Sequence, residues 1–281
     1  ETQMLMRIAP EITFTPSPRR HVPPGTPIRD QKRDEFLAGL LAICGDVRHL
    51  WLPATGDTTS NTGSDRNARA TTYAATVAAL RVARGSGWSL TFDAAAPVAT
   101  VPDAANLSFG DGAADQALSV FAWLSVDATA AVKDVLTKYD LTTGATAREF
   151  RFFIDAAEKL NLVLYDESAA TSIGRLYNTA LATGAALFVA GTYDGSRAVP
   201  GVKLYSAAAV VDDTDASSGS YVAMENTASL LRLGAEEDTA GAAALIFDGD
   251  LYCVGLAAKQ LSREELWAMK ALGNAFFDLA L

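Results

Sequence analysis

The chain has 281 residues, 49% of them apolar, and a formal net charge of -10, with an isoelectric point near 4.7. That is enough material for one large β-sandwich with additions. No uninterrupted apolar run approaches the length a membrane span requires, and the acidity argues against a nucleic-acid partner, which wants a basic surface to displace counterions from phosphates.

The first 29 residues hold Pro10, Pro16, Pro18, Pro23, Pro24 and Pro27 together with Arg7, Arg19, Arg20 and His21. Proline bars this stretch from a helix or a sheet interior, so it reads as an extended arm. Its positive bias on an acidic protein makes it a candidate docking segment, with Arg7, Phe14, Arg19 and Arg20 as the contacts, against the competing reading of a disordered tail. The chain opens at Glu1, and no charged-then-apolar targeting segment follows. Residues 30–46 then read as an amphipathic helix and connector. Phe36, Leu37, Leu40, Leu41, Ile43 and Cys44 recur at helical spacing, Asp30, Asp34 and Glu35 sit in the first turn, and Gly45 caps the end. This helix would cover one edge of a sheet or join the arm to the body.

Residues 47–53 (VRHLWLP) predict a first strand, and residues 56–69 a turn-rich loop. Residues 71–83 mix helix-favouring Ala with strand-favouring Thr, Tyr and Val and are read as strand and irregular structure. Residues 87–93 form a clear strand with Trp88, Leu90 and Phe92 on one face, residues 98–101 lead into Pro102-Asp103, and residues 106–115 are a polar loop. Residues 119–127 (SVFAWLSVD) are apolar on both alternating faces, as a central strand buried between two layers must be. Residues 148–155 (REFRFFID) and 160–165 (LNLVLY) predict a hairpin, with strands at 187–193 and 202–205 beyond it. No ten-residue helical pattern interrupts this run, so the strands should pair antiparallel. Further on, residues 212–220 read as an acidic turn, 221–224 as a short strand, 231–234 and 247–251 as strands, and 236–241 as an acidic loop. Residues 262–279 are a helix: Ser262 and Glu265 form a capping box, Leu261 and Leu266 a staple, and Leu266, Met269, Phe276 and Phe277 share a face.

The order of these motifs resembles the laminin-G / concanavalin A-like jelly-roll family. The resemblance is carried by Val120-Phe121-Ala122-Trp123-Leu124, by Lys138-Tyr139-Asp140, by the strand at 149–154 and its hairpin into Leu160-Asn161-Leu162, and by Thr192-Tyr193-Asp194-Gly195-Ser196 before Val202-Lys203-Leu204-Tyr205. It continues through Leu231-Arg232-Leu233-Gly234, Phe247-Asp248-Gly249-Asp250-Leu251 and Leu261-Ser262-Arg263-Glu264-Glu265. One departure is that Ala186-Leu187 stand where the family usually has Trp-His. The resemblance implies an all-β, two-sheet antiparallel jelly-roll sandwich spanning residues 47–281, including the helix at 262–279. The arm (1–29) and the connector helix (30–46) precede it.

Chemistry is sparse. Glucanases of this fold place catalytic carboxylates at alternating positions on one strand. Here Glu236-Glu237-Asp238 runs on into Thr239 and Ala240, and Asp248-Gly249-Asp250 lacks a Glu. With only His21 and His49, no His-rich metal site or Ser-His-Asp arrangement is supported, and Gly-rich phosphate motifs are absent. No enzymatic activity and no catalytic residue are therefore expected. No cofactor is expected either, with calcium the one candidate ion. Asp103, Asp111 and Asp115 flank the start of the central strand, and Asp212, Asp213 and Asp215 crowd one turn, against the competing reading of solvated carboxylates. Cys44 and Cys253 lie in apolar settings and read as buried free thiols. Trp51, Trp88, Trp123 and Trp267 all sit on apolar-patterned elements and are expected in the core rather than under a sugar.

Two function classes remain. The first is a non-catalytic virion structural protein, a bacteriophage capsid-decoration or tail-associated protein. It would expose a lectin-like module at the virion surface and attach through its arm to other virion proteins or like subunits, as a homo-oligomer or part of a larger assembly. Jelly rolls of the resembled kind are common in such particles. The second is an extracellular or cell-surface adhesion module that binds glycans, with calcium assisting at a loop.

Overall fold

The structure is a computed structural model that describes residues 28–53, 62–64, 70–73, 81–93, 99–142 and 146–281. The arm residues Arg7, Phe14, Arg19 and Arg20 lie outside the described residues. Helix α1 (Ile28–Cys44) comes first, then strands β1 (Val47–Trp51), β2 (Thr62–Ser64), β3 (Ala70–Tyr73), β4 (Arg81–Arg84), β5 (Gly87–Asp93) and β6 (Ala99–Val101). The middle of the chain supplies β7 (Leu118–Val126), β8 (Lys133–Asp140), β9 (Ala147–Ile154), β10 (Leu160–Asp166), β11 (Thr171–Tyr177), β12 (Ala186–Tyr193) and β13 (Val202–Ser206). Short strands β14 (Ala209–Val210), β15 (Asp213–Asp215), β16 (Leu231–Leu233), β17 (Glu236–Glu237) and β18 (Ala243–Ala244) lead to the long β19 (Asp248–Ala257) and helix α2 (Arg263–Phe277).

These strands form two sheets. The smaller is 8-stranded, in the order β14-β13-β12-β7-β19-β5-β4, with β1 also on β19; the larger is 11-stranded, in the order β15-β11-β10-β9-β8-β16-β6-β3-β2, with the β17–β18 hairpin attached to β8. Pairing is antiparallel except between β17 and β8, so the molecule is the expected two-sheet antiparallel sandwich. The core between the sheets is made by inward residues of β7 (Leu118, Val120, Ala122, Leu124, Val126) against Phe150, Phe152 and Ile154 of β9 and Leu160, Leu162 and Leu164 of β10.

The outward residues of β7 are also buried. Phe121 and Trp123 join Phe188 of β12, Phe36, Leu40 and Cys44 of α1, and Leu266, Met269, Phe276 and Phe277 of α2 in a second cluster. The connector helix, expected to cover a sheet edge or to join the arm to the body, therefore packs on the outer face of the smaller sheet beside α2. Trp123 is the centre of this layer: its ring lies 4.7 Å from that of Phe188 and 5.9 Å from that of Phe36. A Cβ at Gly273 of α2 would overlap the Trp123 indole, so the helix can approach this closely only with glycine there. Cys44 and Cys253 are buried free thiols in the same layer, and burial pushes the Cys44 thiol up to about 12. Helix α2 begins with the capping box of Ser262 and Glu265, and Leu261 and Leu266 are both buried.

Other local expectations differ. Residues 221–224 are not a strand: the Val222 N–H donates to Asp166 and the Met224 N–H to Asp115, so carboxylates take the amides that a ladder would need. The acidic turn at 212–220 contains an edge strand, because Asp213, Thr214 and Asp215 pair with Tyr177, Leu176 and Arg175. The acidic loop at 236–241 starts as a strand that folds back to form the β17–β18 hairpin. The residues of β8 and β11 carry too many polar side chains to read as strands, yet β8 lies in the middle of the larger sheet and β11 beside its edge strand β15.

Candidate functional site

Among the described residues the larger sheet carries no helix layer like the one that seals the smaller sheet. Its outward positions follow from register. Arg151 pairs with Thr137 and with Val163, Thr137 pairs with Arg232, and Arg232 with Thr100. The residues adjacent in sequence (Leu136, Phe152, Leu162, Leu233) are core, so this row faces away from the sandwich interior. Tyr139 and Arg148 are also paired, and the Tyr139 ring lies 5.0 Å from that of Tyr165.

The row is held by guanidinium groups. Arg151 donates from Nε to Asp134 Oδ1 at 2.6 Å and from Nη2 to Asp134 Oδ2 at 3.1 Å, and its Nη2 is 3.2 Å from Glu236 Oε2. Its planar head lies 4.3 Å from the Phe153 ring centroid and 5.4 Å from that of Tyr139, a stacking that Lys could not reproduce. Arg148 makes the matching pair with Glu167, donating from Nε at 2.6 Å, and covers Tyr165 at 5.3 Å. Glu236 arrives on the β17–β18 hairpin, which is tied down by Thr137 Oγ1 donating to the Ala235 carbonyl, Leu141 N–H to the Glu237 carbonyl and Asp134 N–H to the Leu245 carbonyl. Arg232 pairs with Glu237 on the same hairpin.

Burial of this network has electrostatic consequences. Asp134 is fully buried, and desolvation pushes its carboxyl up to about 7 despite the opposing pull of Arg151, with Glu236 adding to the rise. Burial raises the Glu236 carboxyl as well. Two carboxyls with raised proton affinity invite an acid–base reading. The geometry opposes it, because the Arg151 guanidinium contacts both groups and occupies the position that a glycosidase pair must leave to the scissile bond and water.

The acidic residues singled out in the sequence go elsewhere. Asp103 is 3.0 Å from the Lys138 ammonium. Asp111 accepts from the Ala113 and Ala114 amides of its own turn. Asp115 accepts from the Tyr193 and Tyr221 hydroxyls, both at 2.6 Å, and from the Met224 amide. Asp213 pairs with Arg175, and Asp215 accepts from the Ser217 amide. The Asp212 carbonyl accepts from the Asn178 amide. Among the described residues no three His, Cys, Asp or Glu side chains converge as a metal group. These carboxylates spend their charge on loop amides, hydroxyls and ammonium or guanidinium partners.

Trp51 and Trp123 are core and Trp88 is half-buried, but Trp267 is 64% exposed on α2. Its helical spacing places it opposite Leu266 and Met269, which corrects the expectation that all four tryptophans pack inside. Sequence reasoning missed Asp134, Arg148, Arg151, Tyr139 and Tyr165. The available signal was the alternation in REFRFFID, where Arg151 and Phe153 interleave with the inward Phe150, Phe152 and Ile154.

No family profile and no curated sequence matches the chain. Solved structures do. A Trypanosoma rangeli sialidase in complex with sialic acid is similar at 14% identity and a TM-score of 0.55, over 88% of this chain and 38% of that one. The receptor-binding domain of botulinum neurotoxin D is similar at 13% identity and a TM-score of 0.55, over 82% of this chain and 53% of that one. The chain thus spans about two-fifths to half the length of these neighbours, and at such identities the likeness is one of fold: a two-sheet antiparallel β-sandwich. Among the described residues no helix is long and apolar enough to cross a membrane.

Proposed function

We propose that the chain is a non-catalytic binding module of the lectin-like sandwich class, exposed at the surface of a virus particle as a capsid-decoration or tail-associated protein. The observation that carries the binding half is the asymmetry of the two outer faces. Helices seal one sheet, while the other presents half-buried Phe153 and Tyr165 beside Arg148 and Arg151. Aromatic rings fixed beside hydrogen-bonding heads suit a glycan or another polar surface. The neighbours' own descriptions, a sialidase holding sialic acid and a receptor-binding domain, support contact with carbohydrate or receptor. The engagement of both Asp134 and Glu236 by the Arg151 guanidinium supports the non-catalytic part.

The virion half rests on the laminin-G-like motif order and on the Pro-rich basic arm, which would attach the module to other virion proteins or to like subunits. Deleting residues 1–27 should leave the unfolding midpoint of the isolated protein unchanged and abolish incorporation into the particle. Full-occupancy assembly of the truncated chain sinks the arm, and its absence from a particle reconstruction sinks the virion setting. Glycan-array binding that vanishes with a chelator would instead favour an extracellular adhesion lectin with calcium at a loop.

A further inference from the structure

One end of the sandwich is organised around a buried cation that belongs to the chain itself. The Lys138 side chain is fully buried. Its Nζ lies 2.5 Å from Glu149 Oε1, 2.7 Å from the Thr227 carbonyl oxygen and 3.0 Å from Asp103 Oδ1. These oxygens come from β9, from the segment before β16 and from the segment after β6, so the ammonium joins three parts of the chain that no ladder connects there. The register explains how Glu149 reaches it. Lys138 pairs with Phe150 and Tyr139 with Arg148, which leaves Glu149 as the unpaired residue of a bulge.

The oxygen set is held by more than the lysine. The Thr227 amide and hydroxyl donate to Glu149 Oε1 at 2.7 and 2.9 Å, and Ser108 Oγ lies 3.0 Å from the same oxygen. Glu149 Oε2 is buried without a hydrogen-bond partner. Two carboxylates therefore face a single positive charge, and one of their buried oxygens has nothing to bind. The atoms set around the ammonium are carboxylate and carbonyl oxygens, the oxygen ligands that a hard divalent cation takes.

We propose that the Lys138 ammonium is a built-in cation occupying what is, without the lysine side chain, a calcium-type divalent site formed by Glu149, Asp103 and the Thr227 carbonyl. The lysine makes this end of the sandwich independent of metal supply, and a divalent ion entering in its place neutralises both carboxylates and engages the orphaned Glu149 oxygen.

The test compares the full chain with two variants by thermal unfolding in chelator, in millimolar calcium and in millimolar magnesium, alongside calorimetric titration with calcium. Lys138→Ala opens the position; Lys138→Met removes the charge but keeps it filled. The wild type should show one midpoint in chelator and in calcium. Lys138→Ala should be destabilised in chelator, gain about 5 °C in calcium and bind one calcium ion by calorimetry. Lys138→Met should be destabilised and indifferent to calcium. Magnesium, which demands tighter octahedral geometry, should restore Lys138→Ala less than calcium. The proposal fails if Lys138→Ala is indifferent to calcium, including the case in which it is unfolded with and without the ion. It also fails if magnesium restores Lys138→Ala as well as calcium does, if Lys138→Met is rescued equally, or if the wild type is itself stabilised by calcium.

Discussion

The outer faces of the two sheets obey the same alternation and carry opposite chemistry. On the smaller sheet the outward residues Phe121, Trp123 and Phe188 match the apolar stripes of two helices, and nothing polar is needed to finish the layer. On the larger sheet the outward residues Arg151, Tyr139, Arg148 and Tyr165 stay together by stacking and by pairing with Asp134, Glu236 and Glu167. A sheet face can thus be completed by another layer or by neutralising itself, and only the second leaves groups within reach of a partner.

Four measurements break or sharpen that contrast. The largest effect should come from the sealed face: Trp123→Ala should cost about 4 kcal/mol in chemical denaturation, because a large ring is lost from a layer with no room to collapse. A loss below about 1 kcal/mol would mean that the helices do not depend on it. On the open face, Arg151→Met should cost about 3 kcal/mol near pH 8, since it strands Asp134 and Glu236 beside each other without their cation. Most of that loss should return on acidification, and a pH-independent loss would point to packing instead.

How much of this was legible follows from where each partner sits. The central strand β7 announced itself because both of its faces are apolar, and the capping box fixed the start of α2 within four residues of sequence. Strand β8 did not, because Lys133, Asp134 and Lys138 look like side chains that point into water, and only residues from other elements show them to be buried and paired. The same holds for Asp134, Arg151 and Glu236. Their meeting depends on a register and on a hairpin that folds back over the sheet, and no local pattern encodes either. Trp267 misled in the other direction, since an aromatic residue in an amphipathic helix is assigned inward unless the face of each turn is tracked.

The third effect is smaller and set by pH. A carboxyl raised from 3.8 to about 7 on folding binds its proton more tightly in the folded chain. The stability it confers is full below the unfolded value and is lost as pH rises through about 7. Glu236 shifts in the same direction. The free energy of unfolding should therefore climb as pH falls from about 7 to 5, by up to about 1.4 kcal/mol per pH unit, and Asp134→Asn should flatten the profile. A wild-type profile that is flat over this window rules out the raised carboxyl. The smallest effect belongs to Trp267→Ala, which should change stability by less than about 0.5 kcal/mol because the side chain is mostly in water.

Among the described residues both sheets end in strands of only two to five residues: β14, β4 and β1 on one, β15 and β2 on the other. A β-sandwich repeated many times in a confined space risks zipping edge to edge into fibres, since any long bare edge is a template for the next copy. Here the available ladder is too short to nucleate such growth, and on β15 it is flanked by Asp213 and Asp215, whose charges repel an identical strand. Crowded copies of this module should therefore remain separate particles, and any ordered array they build must be specified by contacts outside the sheets.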